Sequence, residues 1–119
     1  LVRSRGLGDV YKRQFVMGVN ETTEADLPET VLAWDLVRAV NMARWAFICG
    51  YINEDEMWEA IRTTAGIAKE SFSSWEEYGN SFAVGRGIWR GETDDYETAD
   101  EVVGALLNKE DSPWKAIEW

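Results

Sequence analysis

The segment from Ala33 to Trp45 is the feature that most constrains how this chain can fold. It is apolar enough for a buried helix, yet a polar residue interrupts it every three positions, at Asp35, Arg38, Asn41 and Arg44. Charged side chains are rarely buried unless they are paired. The fold must therefore give this helix partners for its charges or keep them at a hydrated groove.

Helix-start and helix-stop signals recur along the rest of the chain and predict an all-α fold. Asn53 and Ser74 each precede glutamates and an apolar repeat at three-four spacing, and Gly50 and Gly91 follow such repeats as C-terminal caps. No segment alternates in the manner of a strand. We predict an antiparallel array of about four helices, incomplete at the N-terminus, over residues 27–49, 53–72, 74–90 and 98–108.

Two stretches at the end of this array are interpreted separately. Residues 92–97 are rich in acids and predict a loop before the fourth helix, which Thr98-Ala99-Asp100-Glu101 opens. After Asp111-Ser112-Pro113-Trp114, the apolar residues Ile117 and Trp119 predict a docked tail.

The first residues of the chain are not interpreted as part of the fold. Residues 4–14 resemble the translation of a sequencing-library adapter, whose last six codons give Asp9 to Gln14. Processing scars and added segments are excluded from fold reasoning. We interpret residues 1–14 as an adapter-derived artefact that should pack poorly, residues 15–26 as a linker remnant and residues 27–119 as a helical domain. The natural N-terminus is then expected upstream.

Charge and hydropathy narrow the classes of partner. The formal net charge is −10, and it would be more negative without the basic first 14 residues. Such a chain repels phosphate backbones, so we expect no nucleic-acid partner. No apolar run approaches the roughly 20 residues that span a bilayer, so we expect no membrane partner. Cys49 is the single cysteine, which excludes a disulfide framework within the chain and suits the cytoplasm.

Six sequence blocks in a fixed order carry a family resemblance. They resemble the bacterial family of unknown function DUF1266, from Trp34 to the end of the chain. The resemblance implies a bacterial, cytoplasmic, mainly helical protein, with a further helical segment upstream, and it implies no activity. The blocks are Trp34-Asp35-x-x-Arg38, Arg44-Trp45, Gly50-Tyr51-Ile52, Phe72-Ser73-Ser74-Trp75-Glu76-Glu77-Tyr78, Gly85-Arg86 and Ser112-Pro113-Trp114.

Familiar catalytic patterns are missing from this sequence. There is no histidine, which removes the commonest general base and metal ligand and excludes a histidine-dependent triad within the chain. We interpret Ser73 and Ser74 as helix caps. Gly85-Arg86-Gly87 lacks the other residues of a phosphate-binding loop and favours close helix packing around one functional or ion-paired arginine. Asp94, Asp95, Glu97 and Asp100 lack calcium-loop spacing, so a solvated acidic loop is favoured over a metal site.

Helical geometry groups the polar residues of the first helix. At about 100° per residue, Trp34, Arg38, Asn41 and Trp45 share one stripe and Arg44 lies to one side. We hypothesise that Asp35, Arg38 and Arg86 meet between the first and third helices. The cluster is interpreted as a structural network, as an anion or polar-ligand pocket, or as a protein-binding groove. Its polar members are Asp35, Arg38, Asn41, Arg44 and Arg86, and its aromatic lining is Trp34, Trp45, Trp75 and Trp114.

Two classes of function remain open. The preferred one is a non-enzymatic protein-interaction or adaptor domain without cofactor or metal, because no catalytic motif is complete and exposed tryptophans favour interfaces. The alternative is an enzyme or small-ligand-binding domain that uses a carboxylate and arginine pocket for a polar or anionic molecule. A deep polar pocket with Asp35 beside Arg38 and Arg86 favours the alternative, whereas an exposed aromatic patch with paired charges favours interaction.

The acidic balance generates a first prediction. A chain lacking residues 1–14 should not retain duplex DNA at physiological salt, because its net charge repels the phosphate backbone. A mobility-shift assay checks this, and a retarded, salt-sensitive band would contradict it. The basic segment has to be removed first, since it alone can bind DNA.

Overall fold

Five helices form the part of the chain that the computed structural model describes, which is Pro28, residues 30–91 and residues 93–119. This part contains no strand, so the all-α prediction with four long helices is confirmed. The segments 1–14 and 15–26 lie outside the described residues. The helices are α1 (Leu32–Ile48), α2 (Glu54–Ser71), α3 (Trp75–Arg90), α4 (Thr93–Asn108) and the short α5 (Pro113–Ala116).

The predicted capping residues begin α2 and α3. Asn53 accepts a hydrogen bond from the backbone N–H of Glu56 at 2.9 Å, and the Glu56 carboxylate accepts one in return from the Asn53 N–H at 3.1 Å. At α3, Ser74 accepts from the Glu77 N–H at 3.1 Å. The Glu77 carboxylate accepts from the hydroxyl of Ser73 at 2.6 Å and from its N–H at 2.8 Å. These two bonds lower the pKa of Glu77. The capping interpretation is confirmed for Ser74, whereas Ser73 precedes the cap and donates to the Glu77 carboxylate.

The predicted glycine, Gly50, terminates α1, but the helix begins later than expected. Gly50 has a φ of 81°, and the N–H groups of Gly50 and Tyr51 donate to the carbonyls of Phe47 and Ala46, which is the Schellman arrangement. The predicted start at residue 27 is wrong, because the helix begins at Leu32.

A buried serine from another helix explains where α1 begins. Ser81 of α3 is fully buried, and its hydroxyl donates to the carbonyl of Thr30 at 2.7 Å while accepting from the N–H of Ala33 at 3.2 Å. The Thr30 hydroxyl accepts from the Leu32 N–H at 3.1 Å. The first turn of α1 is therefore capped by a long-range contact that local sequence signals do not contain.

α4 begins five residues earlier than the sequence predicts. It starts at Thr93, so residues 93–97 are helical and the prediction of an acidic loop over residues 92–97 is wrong. Two causes act together. Asp94 and Asp95 lie in the first turn, where the helix dipole favours negative charge, and Asp95 forms ion pairs with arginines of α3.

α3 is the helix against which both α1 and α4 pack, and its glycines permit the close approach. A methyl group added at Gly85 would overlap the Cβ of Trp34 on α1. A methyl group at Gly87 would lie 2.7 Å from the Cβ of Tyr96 on α4. α2 packs against α1, and α5 packs against α4. The expectation of close helix packing at Gly85-Arg86-Gly87 is confirmed.

Three small clusters of buried side chains form the core between these helices. One cluster lies where α1 meets the second and third helices and contains Ala33, Leu36, Ala68 and Phe72. A second joins α3 to α4 and contains Ala83, Ala99 and Val103. The third consists of Val84 and Ile88 on α3. Many of these side chains are small, so the backbones of the helices can lie close together. In the described part of the chain, no helix is both long enough and apolar enough to cross a bilayer.

The C-terminal residues pack as a tail against α2 and α3. Trp119 donates its indole N–H to the Phe72 carbonyl at 2.8 Å, and the Trp75 indole N–H donates to the Ile117 carbonyl at 2.7 Å. Trp75 stacks on Trp114, with ring centroids 4.9 Å apart and planes at 15°. The docked-tail prediction is confirmed for Trp119, whereas the side chain of Ile117 is exposed.

The glycine packing generates a second prediction. Gly85→Ala should lower the free energy of unfolding by about 1–3 kcal/mol, because the new methyl group meets the rigid Cβ of Trp34. Gly66→Ala on α2 is the matched control, since a methyl group there would meet nothing within 4 Å beyond its chain neighbours and the backbone of its own helix. The control should be neutral or stabilising by up to about 1 kcal/mol. Thermal denaturation followed by circular dichroism measures both, and equal stabilisation at the two positions would contradict the packing.

Candidate functional site

A cleft of about 540 Å³ lies between α1, α3 and α4. We call it the arginine–tryptophan cleft. Its walls are mainly apolar, and a few polar groups converge on it. This composition is common among ligand and partner sites. The apolar lining is Trp34, Val37, Trp45, Phe82, Trp89, Ala99 and Val102, and the polar lining is Arg38, Asn41, Arg86, Asp95 and Thr98.

Trp34 forms the inner aromatic wall of the cleft. Its ring centroid lies 5.5 Å from that of Phe82 and 6.0 Å from that of Trp89. Its indole nitrogen is buried and has no hydrogen-bond partner among the described residues. An unsatisfied buried donor typically costs about 1–3 kcal/mol, so the packing of this side chain against α3 has to offset that loss.

Two arginines lie over the aromatic wall from different helices. The guanidinium carbon of Arg38 lies 5.7 Å from the Trp34 ring centroid and 5.3 Å from that of Trp89. That of Arg86 lies 5.4 Å from the Trp34 ring. Cation–π contacts of this kind are worth about 0.5–1 kcal/mol where the cation is exposed and more where it is desolvated. The tryptophans therefore hold both cations at the cleft.

The two arginines differ in their electrostatic partners. Arg86 forms an ion pair with Asp95, with Nη2 and Oδ1 3.1 Å apart, and Arg90 meets the other carboxylate oxygen at 3.3 Å. Arg38 has no acidic partner in the described part of the chain, and its side chain is exposed. Of the two alternatives predicted for the arginine of Gly85-Arg86-Gly87, functional or ion-paired, the structure shows the ion pair. Arg38 keeps its donors for solvent or a ligand.

The structure brings together only part of the predicted polar cluster. Arg38, Asn41 and Arg86 line the same cleft, whereas Asp35 and Arg44 are exposed and lie outside it. The expected meeting of Asp35 with the two arginines is wrong. At about 100° per residue, Asp35 is turned away from the Trp34 stripe, while Arg38 remains close to it. The aromatic rings on that stripe hold Arg38 in place of the carboxylate.

The predicted aromatic lining divides into two groups. Trp34 and Trp45 line the cleft, but Trp75 and Trp114 stack on each other near the C-terminal tail. Phe82 and Trp89 are the aromatic residues of the described lining that the sequence reasoning missed, and Trp89 is the more exposed of the two. Its spacing of four residues from Gly85 and three from Arg86 is the signal that places it on the same face of α3.

Asp95 and Thr98 were also missed as cleft residues. Their assignment depends on where α4 begins, because a loop over residues 92–97 gives no basis for placing Asp95. Once the helix starts at Thr93, Asp95 and Thr98 lie three residues apart on one face. Of the four acids considered as oxygen ligands, Asp95 is engaged by two arginines. The described residues contain no group of three or more potential metal ligands.

A second cavity of about 300 Å³ lies beside the C-terminal tail. Its lining includes Trp75, Tyr78 and Trp119. The indole N–H groups of the two tryptophans donate to backbone carbonyls. Burial raises the pKa of the Tyr78 phenol above its ordinary value. The paired polar atoms indicate a structural aromatic cluster, so the arginine–tryptophan cleft is the stronger candidate site.

Comparisons with known proteins locate the chain in a family without assigning a role. The family model described as "Protein of unknown function (DUF1266)" matches residues 6–119. The matched range includes every residue of the cleft and begins within the adapter-like stretch. No match was found among curated proteins or among solved structures.

The different partners of the two arginines generate a third prediction. Arg86→Ala should lower the free energy of unfolding by about 1–2 kcal/mol, because it removes one partner of the half-buried Asp95 together with a cation–π contact. Arg38→Ala should cost less than about 1 kcal/mol, since Arg38 is exposed and has no carboxylate partner. Urea denaturation compares the variants. A loss at Arg38 that equals or exceeds the loss at Arg86 would indicate a structural network instead.

Proposed function

We propose that this chain, which belongs to the DUF1266 family of proteins of unknown function, is a non-enzymatic protein-interaction domain whose arginine–tryptophan cleft captures a partner. The proposal includes the expectation of a bacterial, cytoplasmic protein. It also includes the expectation that nucleic acid, membrane, metal and cofactor take no part in binding.

The exposure of large apolar side chains around the cleft carries this proposal. Trp45 is 62% exposed, Trp89 is 54% exposed and Val102 is 52% exposed, and all three line the same opening. Contiguous apolar surface of this kind marks interaction sites on soluble proteins. Tryptophan and arginine are also the residue types most enriched among the side chains that dominate binding energy.

The carboxylate in the cleft favours binding over catalysis. Asp95 is the acidic residue among the described residues of the lining, and its two oxygens already lie 3.1 and 3.3 Å from nitrogens of Arg86 and Arg90. A general base has to reach a substrate proton, usually at about 2.6–3.2 Å. Both oxygens of Asp95 are directed to arginines, so the carboxylate is better suited to holding Arg86 in place.

Site-specific photo-crosslinking tests the interaction function and supplies the fourth prediction. Trp45 and Trp89 are replaced one at a time by the photoreactive residue p-benzoylphenylalanine, and the chain is irradiated in bacterial cells. Both positions should form the same covalent protein adduct, identified by mass spectrometry, because both border the cleft.

Trp58 provides the matched control for this experiment. It is a tryptophan of similar exposure, 43%, on α2 and outside the cleft lining. The same replacement at Trp58 should not give the adduct. If Trp45 and Trp89 yield no adduct above the level seen at Trp58, the interaction function is wrong. A pocket for a small molecule then becomes the better account.

A further inference from the structure

We propose that the segment captured by the arginine–tryptophan cleft is an apolar peptide that carries a single carboxylate, and that Arg38 binds this carboxylate. The inference rests on the proposed interaction function and adds the chemistry of the partner. It follows from the charges that line the cleft, the charge of the whole chain and the length of the helical stripe that carries the exposed side chains of Trp45 and Ile48.

The charges of the lining leave one cation unmatched. Among the described residues, the ionic groups that line the cleft are Arg38, Arg86 and Asp95. Asp95 is paired with Arg86, whereas Arg38 has no acidic partner among the described residues. The described part of the lining therefore carries one net positive charge. A guanidinium offers a planar fork of N–H donors that matches a carboxylate in a bidentate arrangement.

The charge of the whole chain limits how acidic the occupant is. The formal net charge is −10, so long-range repulsion disfavours polyacidic segments and doubly charged phosphates. A single carboxylate neutralises Arg38 locally and adds little to that repulsion. The aromatic walls are best covered by apolar side chains, because apolar contact removes Trp45 and Trp89 from water. The favoured occupant thus combines one acid with apolar neighbours.

The shape of the apolar surface favours a peptide over a compact molecule. On α1, Ile48 continues the stripe that begins at Trp34, and its side chain is 73% exposed. The stripe runs for four turns of helix, roughly 20 Å at 1.5 Å per residue. An amphipathic helix or an extended segment covers such a length with side chains at regular intervals. A small molecule held in the cleft would leave the Ile48 end uncovered.

Selection from a random peptide library displayed on phage is the test. The chain serves as bait, and the variant Trp45→Ala/Trp89→Ala serves for counter-selection. Both side chains are more than half exposed, and circular dichroism checks that the variant is folded at the selection temperature. Enriched peptides that depend on the two tryptophans should share apolar residues around one aspartate or glutamate. The tightest peptide is then synthesised in three forms, with its acid, with the corresponding amide and with phosphoserine at that position.

Titration calorimetry with these peptides makes the fifth prediction quantitative. The amide form should bind about twofold to fivefold more weakly than the acid form, the range expected for an exposed ion pair. Arg38→Gln should weaken the acid form to the same extent and leave the affinity of the amide form unchanged. Arg62→Gln, an exposed arginine on α2 outside the cleft lining, should change neither affinity.

The outcomes separate this inference from the function on which it rests. Peptides that need Trp45 and Trp89 but carry no acid, or that ignore Arg38→Gln, would overturn the inference and leave the interaction function standing. Tighter binding of the phosphoserine form would overturn the choice of a singly charged group. If no enriched peptide depends on the two tryptophans, the interaction function fails together with the inference.

Discussion

The contact between Trp34 and Gly85 is the constraint on which the rest of this structure depends. Trp34 is a large side chain at the start of α1, and α3 accommodates it only because residue 85 has no Cβ. That approach also brings Ser81 to the first turn of α1 and sets Arg86 over the indole ring. Packing, helix capping and the position of a cation thus follow from one close crossing of two helices.

The same side chain connects the core to the cleft. Behind Trp34 lie the glycine and Phe82, and around it lie Arg38, Arg86 and Trp89. Its indole nitrogen is buried without a partner among the described residues, whereas the indole N–H groups of Trp75 and Trp119 near the C-terminus donate to backbone carbonyls. Tryptophans therefore serve two purposes in one small domain. Trp75 and Trp119 pack near the C-terminus, whereas Trp34, Trp45 and Trp89 present aromatic faces to the open cleft.

Local sequence signals were sufficient to predict the four long helices. Long-range contacts account for the two helix starts that these signals placed wrongly, those of α1 and α4. Asn53, Ser74 and Gly50 act within one turn of the residues they cap, so the sequence pattern identifies them. The start of α1 depends on Ser81, about 50 residues away in sequence, and the early start of α4 coincides with the pairing of Asp95 to α3. The arginines of the site were found because they interrupt apolar stripes. Asp35 was misassigned because spacing alone does not show that Arg38 prefers indole rings to a carboxylate.

An NMR measurement on the uniformly ¹⁵N-labelled chain tests the central contact most directly. If Trp34 packs on Gly85, a NOESY spectrum shows cross-peaks between the Trp34 side chain and the Hα protons of Gly85. The indole N–H of Trp34 then exchanges with solvent more slowly than that of the exposed Trp45. Missing cross-peaks, together with exchange at Trp34 as fast as at Trp45, would contradict the account, because the wall that holds both arginines would not exist.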